Sequence, residues 1–98
     1  MTSVPNAGEA ESLADGIISS RLAACVQILP QMTSVFIWNE KVQKEDEHLL
    51  LIKTVHERYD DLEKFIREHH SYDVPEIAAV EAAKVYEGYR RWLSESLS

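Results

Sequence analysis

Apolar residues first recur at helical spacing. Leu13, Ala14, Ile17, Ile18 and Leu22 fall three and four residues apart, and Asn6 followed by Glu9 has the offset of a capping box, with Asn in place of Ser or Thr. The spacing predicts a helix over about residues 7–21. From Ala24 to Trp38 the chain turns β-branched and aromatic (Val26, Ile28, Val35, Phe36, Ile37, Trp38), interrupted by Pro30, which cannot donate to a central ladder. This predicts one long strand with a kink or bulge near Pro30. Asn39-Glu40 then separates two strand-like runs by the length of a tight hairpin, in which Asn can take the left-handed conformation. Residues 41–54 are the return strand. Lys41 to His48 is nearly all polar, whereas Leu49-Leu50-Leu51-Ile52 is continuously apolar, so the tip should protrude and the base should be core.

Beyond the hairpin, Val55, Tyr59, Leu62, Phe65, Ile66 and His69 keep helical spacing, Ile77 to Val80 reads as a strand led in by Pro75, and Val85, Tyr86, Tyr89, Trp92, Leu93 and Leu97 mark a last helix. With Met1 to Val4 as a first strand, the order is βαββαβ plus a C-terminal helix. That is the ferredoxin-like α+β arrangement with a long β-hairpin, in one domain over residues 1–98.

A chain of 98 residues buries only roughly two thirds of its unfolded surface, so partners can be expected to supply part of its stability. The formal charge is −7, with 17 acidic against 10 basic residues, and no basic run exceeds Arg90-Arg91. Nucleic acid is excluded as an expected partner, because phosphate neutralisation needs a basic patch. The longest apolar runs fall far short of the ~20 residues of a membrane-spanning helix, and no basic, then apolar leader opens the chain. A lone Cys25 makes no internal disulfide. The expectation is a soluble, cytoplasmic protein.

No Gly-rich phosphate loop, nucleophile elbow or acid–base carboxylate pair is present, so the reading is not an enzyme, with no obligatory cofactor. His69-His70 is the best donor pair in the chain, suited to Cu(II) or another divalent cation. The alternative is a helix C-terminal cap, since His near the last turn pairs with free carbonyls. Adjacent helical residues point about 100° apart, so both can ligate one ion only if the helix has ended or a neighbouring subunit contributes. Cys25, between Ala24 and Val26, reads as a small buried hydrophobe, and His48 and His56 as isolated histidines. Tyr72, Pro75 and Glu76 lead into the last strand, with Glu76 the acid expected to be buried and paired. Either they lock a structural loop, or Trp38, Tyr72 and Glu76, with Lys53 opposite, line a ligand pocket at a subunit junction.

Several segments are similar to the CutA family of divalent-cation tolerance proteins. Leu22-Ala23-Ala24-Cys25-Val26-Gln27-Ile28-Leu29-Pro30 resembles the end of its first helix and start of its second strand. Thr33 to Trp38, then Lys41, then Glu47 to Thr54 resemble its long hairpin, His69 to Ile77 its His-Pro-Tyr-x-x-Pro-Glu signature, and Tyr89 with Trp92-Leu93 its last helix. The resemblance implies a homotrimer whose hairpins pair across subunits, a role in copper tolerance, and copper ligands at the His pair and at a first-strand Cys. It also implies kinship with the PII signalling proteins, which bind small molecules between subunits; a small-molecule sensor and an interaction scaffold are the alternatives to metal binding. The chain departs from the family pattern at Thr2 (Cys in some members), Glu40 (usually Gly) and Ser71 (Pro). Its first strand is truncated, since Met1-Thr2-Ser3-Val4 supplies only the end of the family's strand.

Overall fold

The computed structural model describes all residues, Met1–Ser98. Its elements are β1 (Thr2–Val4), α1 (Ala7–Ser19), β2 (Cys25–Ile28), β3 (Met32–Trp38), β4 (Lys41–Lys53), a 3-10 turn over His56–Arg58, α2 (Tyr59–His69) and α3 (Glu87–Ser96). β4 is the centre of the sheet. Its inner half pairs antiparallel with β1 on one side (Thr2↔Leu50) and with β2 on the other (Val26↔Ile52), and its outer half pairs with β3 from Met32↔Glu47 to Trp38↔Lys41. The β3–β4 ribbon continues past both other strands as an arm roughly 23 Å long, at 3.3 Å per residue. The molecule is accordingly elongated, 45 × 26 × 23 Å.

The expected long strand over residues 24–38 is two strands. Pro30 sits in the break, where it has no ladder bond to donate, and the chain is carried across by Leu29 N–H donating to Leu49 C=O at 2.9 Å and by His48 Nδ1 meeting Leu29 C=O at 2.9 Å. At the arm tip Asn39 and Glu40 have φ of 51° and 64°, both left-handed, which is the two-residue turn that matches strand twist. Asn tolerates this conformation. Glu40 carries the Cβ strain that Gly would avoid.

The strand expected at Ile77–Val80 does not form. Ala78 and Met1 exchange both backbone hydrogen bonds, at 2.7 and 3.1 Å, so the segment does start along the free edge of β1. Residues 79 and 80 have no backbone partner, and a strand exists only where its backbone is paired. The last helix begins at Glu87, leaving Val85 outside it.

One face of the sheet carries α1 and α2. Val4, Leu50, Ala10, Leu13, Ala14, Ile17, Ala23, Leu62 and Ile66 form the core, with Val26, Ile52, Phe65 and Ile77 packed around it. Gly16 allows the two helices to close up, because a Cβ there would lie 2.8 Å from Phe65 Cζ. Asn6 caps α1 by accepting from Glu9 N–H at 2.8 Å, as the spacing predicts. α3 buries Leu93 and Leu97, and its last carbonyls, Ser96 and Leu97, accept from the guanidinium groups of Arg21 and Arg58. Only 14 of 98 residues are buried, a small core for the chain.

One core position is polar and unpaired: Thr2 is 0% exposed and its Oγ1 has no hydrogen-bond partner. Thr2→Val is expected to stabilise the protein by about 1 kcal/mol, since it removes a buried hydroxyl that has lost water without gaining a partner. Glu40→Gly is expected to stabilise by a similar amount, about 1 kcal/mol, by relieving the left-handed turn. Thermal unfolding checks both; a lower midpoint for either variant contradicts the corresponding account.

Candidate functional site

The residues with chemical potential gather where α2 ends and the chain crosses β1 to reach the root of the arm. α2 stops at His69 because the backbone of His70 is extended, with φ −86° and ψ 141°. The two histidines therefore part. His69 Nδ1 lies 2.8 Å from the Phe65 carbonyl of its own helix, and its ring stacks on Phe65 with centroids 4.0 Å apart. This is the contact the capping alternative predicts. It fixes Nδ1 as the protonated nitrogen and leaves Nε2 free on an exposed side chain.

His70 turns inward, its side chain fully buried. Nε2 meets the Ser3 carbonyl at 2.8 Å and Nδ1 accepts from Tyr72 N–H at 3.0 Å, so both ring nitrogens are in use. The tautomer with hydrogen on Nε2 follows from these partners. A metal ion can reach His69 Nε2 directly, but reaches His70 only by displacing the Ser3 or the Tyr72 backbone. Within one chain no three His, Cys, Asp or Glu side chains converge to hold an ion. Thr2, where the resemblance implies a thiolate in some members, contributes a hydroxyl that faces the core.

The acid buried here is Glu47, 7% exposed, and not the expected Glu76. Glu76 is exposed, its Oε1 3.5 Å from Ser3 Oγ and close enough to the Met1 amine to oppose the fall in amine pKa that burial causes. Glu47 accepts from the Tyr72 hydroxyl at 2.9 Å. Burial, then this bond and the negative charges of Glu47, Glu45 and Glu9, push the Tyr72 hydroxyl up to about 12, so at neutral pH it is a firm donor. Glu9 adds a second tie. Its carboxylate does not complete the capping box but accepts from Ser71 N–H and Ser71 Oγ, both at 2.9 Å, fastening the loop to the first turn of α1. Ser71 thus supplies two donors where Pro would supply none.

The four residues expected to line a pocket do not meet within one chain. Trp38 lies opposite Lys41, about 20 Å along β4 from Glu47 and hence from Tyr72, while Lys53 lies about 20 Å the other way, beside Cys25. Hollows lie elsewhere on the surface. One of about 370 Å³ runs between Glu9, Ser12, Gly16, Phe65 and His69; another, about 380 Å³, lies by Ile18, Arg21 and Ser96, away from the loop. Neither Glu47 nor Glu9 was expected at this site. Glu47 stands in a polar run whose alternation does not mark which side chain is covered, and Glu9 has the look of a capping residue only.

The family model described as "CutA1 divalent ion tolerance protein" matches residues 1–96. The rice protein "Protein CutA 1, chloroplastic" is 43% identical over 95% of this chain and 52% of its own length, so the chain spans about half of it. The Thermus thermophilus "Divalent-cation tolerance protein CutA" is 36% identical over 98% of this chain and 93% of its own. A crystal structure of CutA1 from Oryza sativa superposes with a TM-score of 0.94 at 42% identity, covering 97% of this chain and 87% of that one. The sheet order around β4, with its projecting arm, is therefore a ferredoxin-like fold of known kind, and the chain belongs to the CutA family of divalent-cation tolerance proteins.

Proposed function

We propose that the protein acts without catalysing a reaction, as a homotrimer that binds a metal ion or small ligand within the family's role in divalent-cation tolerance, copper included. The observation that carries this reading is the arm. Val35 is 60%, Ile37 73%, Trp38 54% and Val42 68% exposed, and register puts Ile37 and Val42 on one face and Phe36 and Trp38 on the other. A two-stranded ribbon, apolar on both faces and open along its edges, is marginal alone and is normally covered. Further copies of this chain are the covering partner, and three copies is what the family resemblance implies. Assembly is also the way Trp38, Lys53, Tyr72 and Glu76 can line one pocket, drawn from neighbouring subunits.

For the metal, His69 Nε2 is the donor within reach, and the absence of a thiolate at Thr2 makes the site imidazole-based, favouring Cu(II) over Cu(I). The half-buried Glu47–Tyr72 pair favours the second reading, a PII-like sensor of a small polar molecule, because convergent polar groups in a partly covered site serve recognition. A cytoplasmic address belongs to the same proposal; the rice relative's name places that protein in the chloroplast.

Sedimentation at micromolar concentration is expected to give three times the chain mass, and Trp38→Ala to weaken assembly by roughly tenfold or more, as loss of a buried aromatic anchor does. A monomer, or a variant that assembles as tightly as the parent, defeats the assembly reading. Calorimetric titration with Cu(II), Zn(II) and a nucleotide panel separates metal binding from sensing. Cu(II) binding is expected to weaken in acid, because a protonated imidazole has no lone pair to offer a metal. Replacing His69 and His70 together by Ala should abolish it. Undiminished Cu(II) binding by the double variant rules the pair out as ligands.

A further inference from the structure

From Met32↔Glu47 outward, the backbone of the arm pairs only with itself. One side-chain hydrogen bond joins residues 32–47 to the rest of the chain, the 2.9 Å bond from the Tyr72 hydroxyl to Glu47 Oε2. Glu47 differs from every other charged residue of the arm: Lys41, Lys44, Glu45 and Asp46 are exposed, and Glu47 is buried at the root. The far side of the bond is as firmly held. Tyr72 donates its N–H to His70 Nδ1, its ring lies against the imidazole with centroids 4.9 Å apart, and His70 Nε2 pairs with the Ser3 carbonyl of β1. A continuous run of hydrogen bonds thus leads from β1, through the loop after α2, to the base of the arm.

A ribbon with no strand on either flank takes its direction from what grips its base. Over an arm roughly 23 Å long, a tilt of about 10° at the root moves the tip by about 4 Å, enough to misalign a strand-to-strand interface. We propose that the Tyr72–Glu47 hydrogen bond sets the direction of the arm, so that the state of the His70–Tyr72 loop, including whether a ligand occupies it, is transmitted to subunit assembly. Tyr72 and Glu47 are positioning residues in this scheme. The part concerning assembly rests on the reading of the arm as the interface; the direction of the arm itself does not. The link is physical because its middle member, His70, has both nitrogens committed, and any group that takes one of them must release either Ser3 or Tyr72.

The test uses the full chain as Tyr72→Phe, Glu47→Ala and the double variant, read by site-resolved amide exchange and by dilution in sedimentation velocity. Tyr72→Phe keeps the ring and removes only the donor. Exchange at residues 32–36 and 43–47 is expected to quicken roughly tenfold and the trimer dissociation constant to rise roughly tenfold, the effect of losing one hydrogen bond to a charged acceptor, while amides of Leu50 and Ile66 keep their rates. Glu47→Ala should match it, and the double variant should be no worse than either single change. Unchanged arm exchange, equal acceleration in arm and core, or additive losses in the double variant would each overturn the link. With Cu(II) as the probe, arm exchange should shift in the parent and stay fixed in Tyr72→Phe; the same shift in both overturns transmission. If Cu(II) does not bind the parent, the metal reading of His69 and His70 falls, and if the parent sediments as a monomer, the assembly reading falls. In either case the exchange data still decide whether Tyr72 and Glu47 direct the arm.

Discussion

The backbone of β4 serves three partners. Its residues 48–53 satisfy β1 on one edge and β2 on the other, and residues 41–47 satisfy β3 alone. Every strand of the chain is paired through it, and because buried or half-buried N–H and C=O groups must be paired, the position of each other strand follows from its register against this one. α1 and α2 then have a single apolar face to cover, built from Val4, Leu50, Ile52 and Val26, and each fully buried side chain there contributes about 1.5–3 kcal/mol. The change along β4, from apolar at Leu49–Ile52 to polar at Lys41–His48, is the change from a strand inside a sheet to a strand in a free ribbon.

That change was legible in the amino-acid pattern, as were the helices, the turn at Asn39-Glu40 and the cap at Asn6, because each depends on a local period or a side chain acting on its own backbone. What was not legible depended on a distant partner. Ile77–Val80 has the composition of a strand, but a ladder needs an opposite number, and only Met1 stands opposite. Pro30 was visible as an interruption, while the full division into β2 and β3 depended on how His48 and Leu49 bridge the gap.

The candidate site follows the same rule. His69 makes the capping contact its sequence position suggests, and that contact leaves its other nitrogen open, so capping and ligation are compatible. The inward turn of His70 depends on Ser3, 67 residues away in sequence. Glu47 and Tyr72 were each in view, the one in the hairpin run and the other in the signature, yet their pairing crosses 25 residues and no spacing rule joins them. Trp38 and Lys53 were expected to join Tyr72 at a subunit junction, and strand rise separates the three within one chain.

Because the arm bonds only to itself beyond its root, its length is uncoupled from the body of the molecule. Side chains on a ribbon alternate between faces, so adding or removing two residues in each of β3 and β4 keeps every remaining residue on its own face, whereas a change of one would turn the tip inside out. The hydrogen bonding of the body would register neither change, since Glu47 is the outermost arm residue whose side chain bonds to it. The reach of the arm can therefore vary in even steps without redesigning the core.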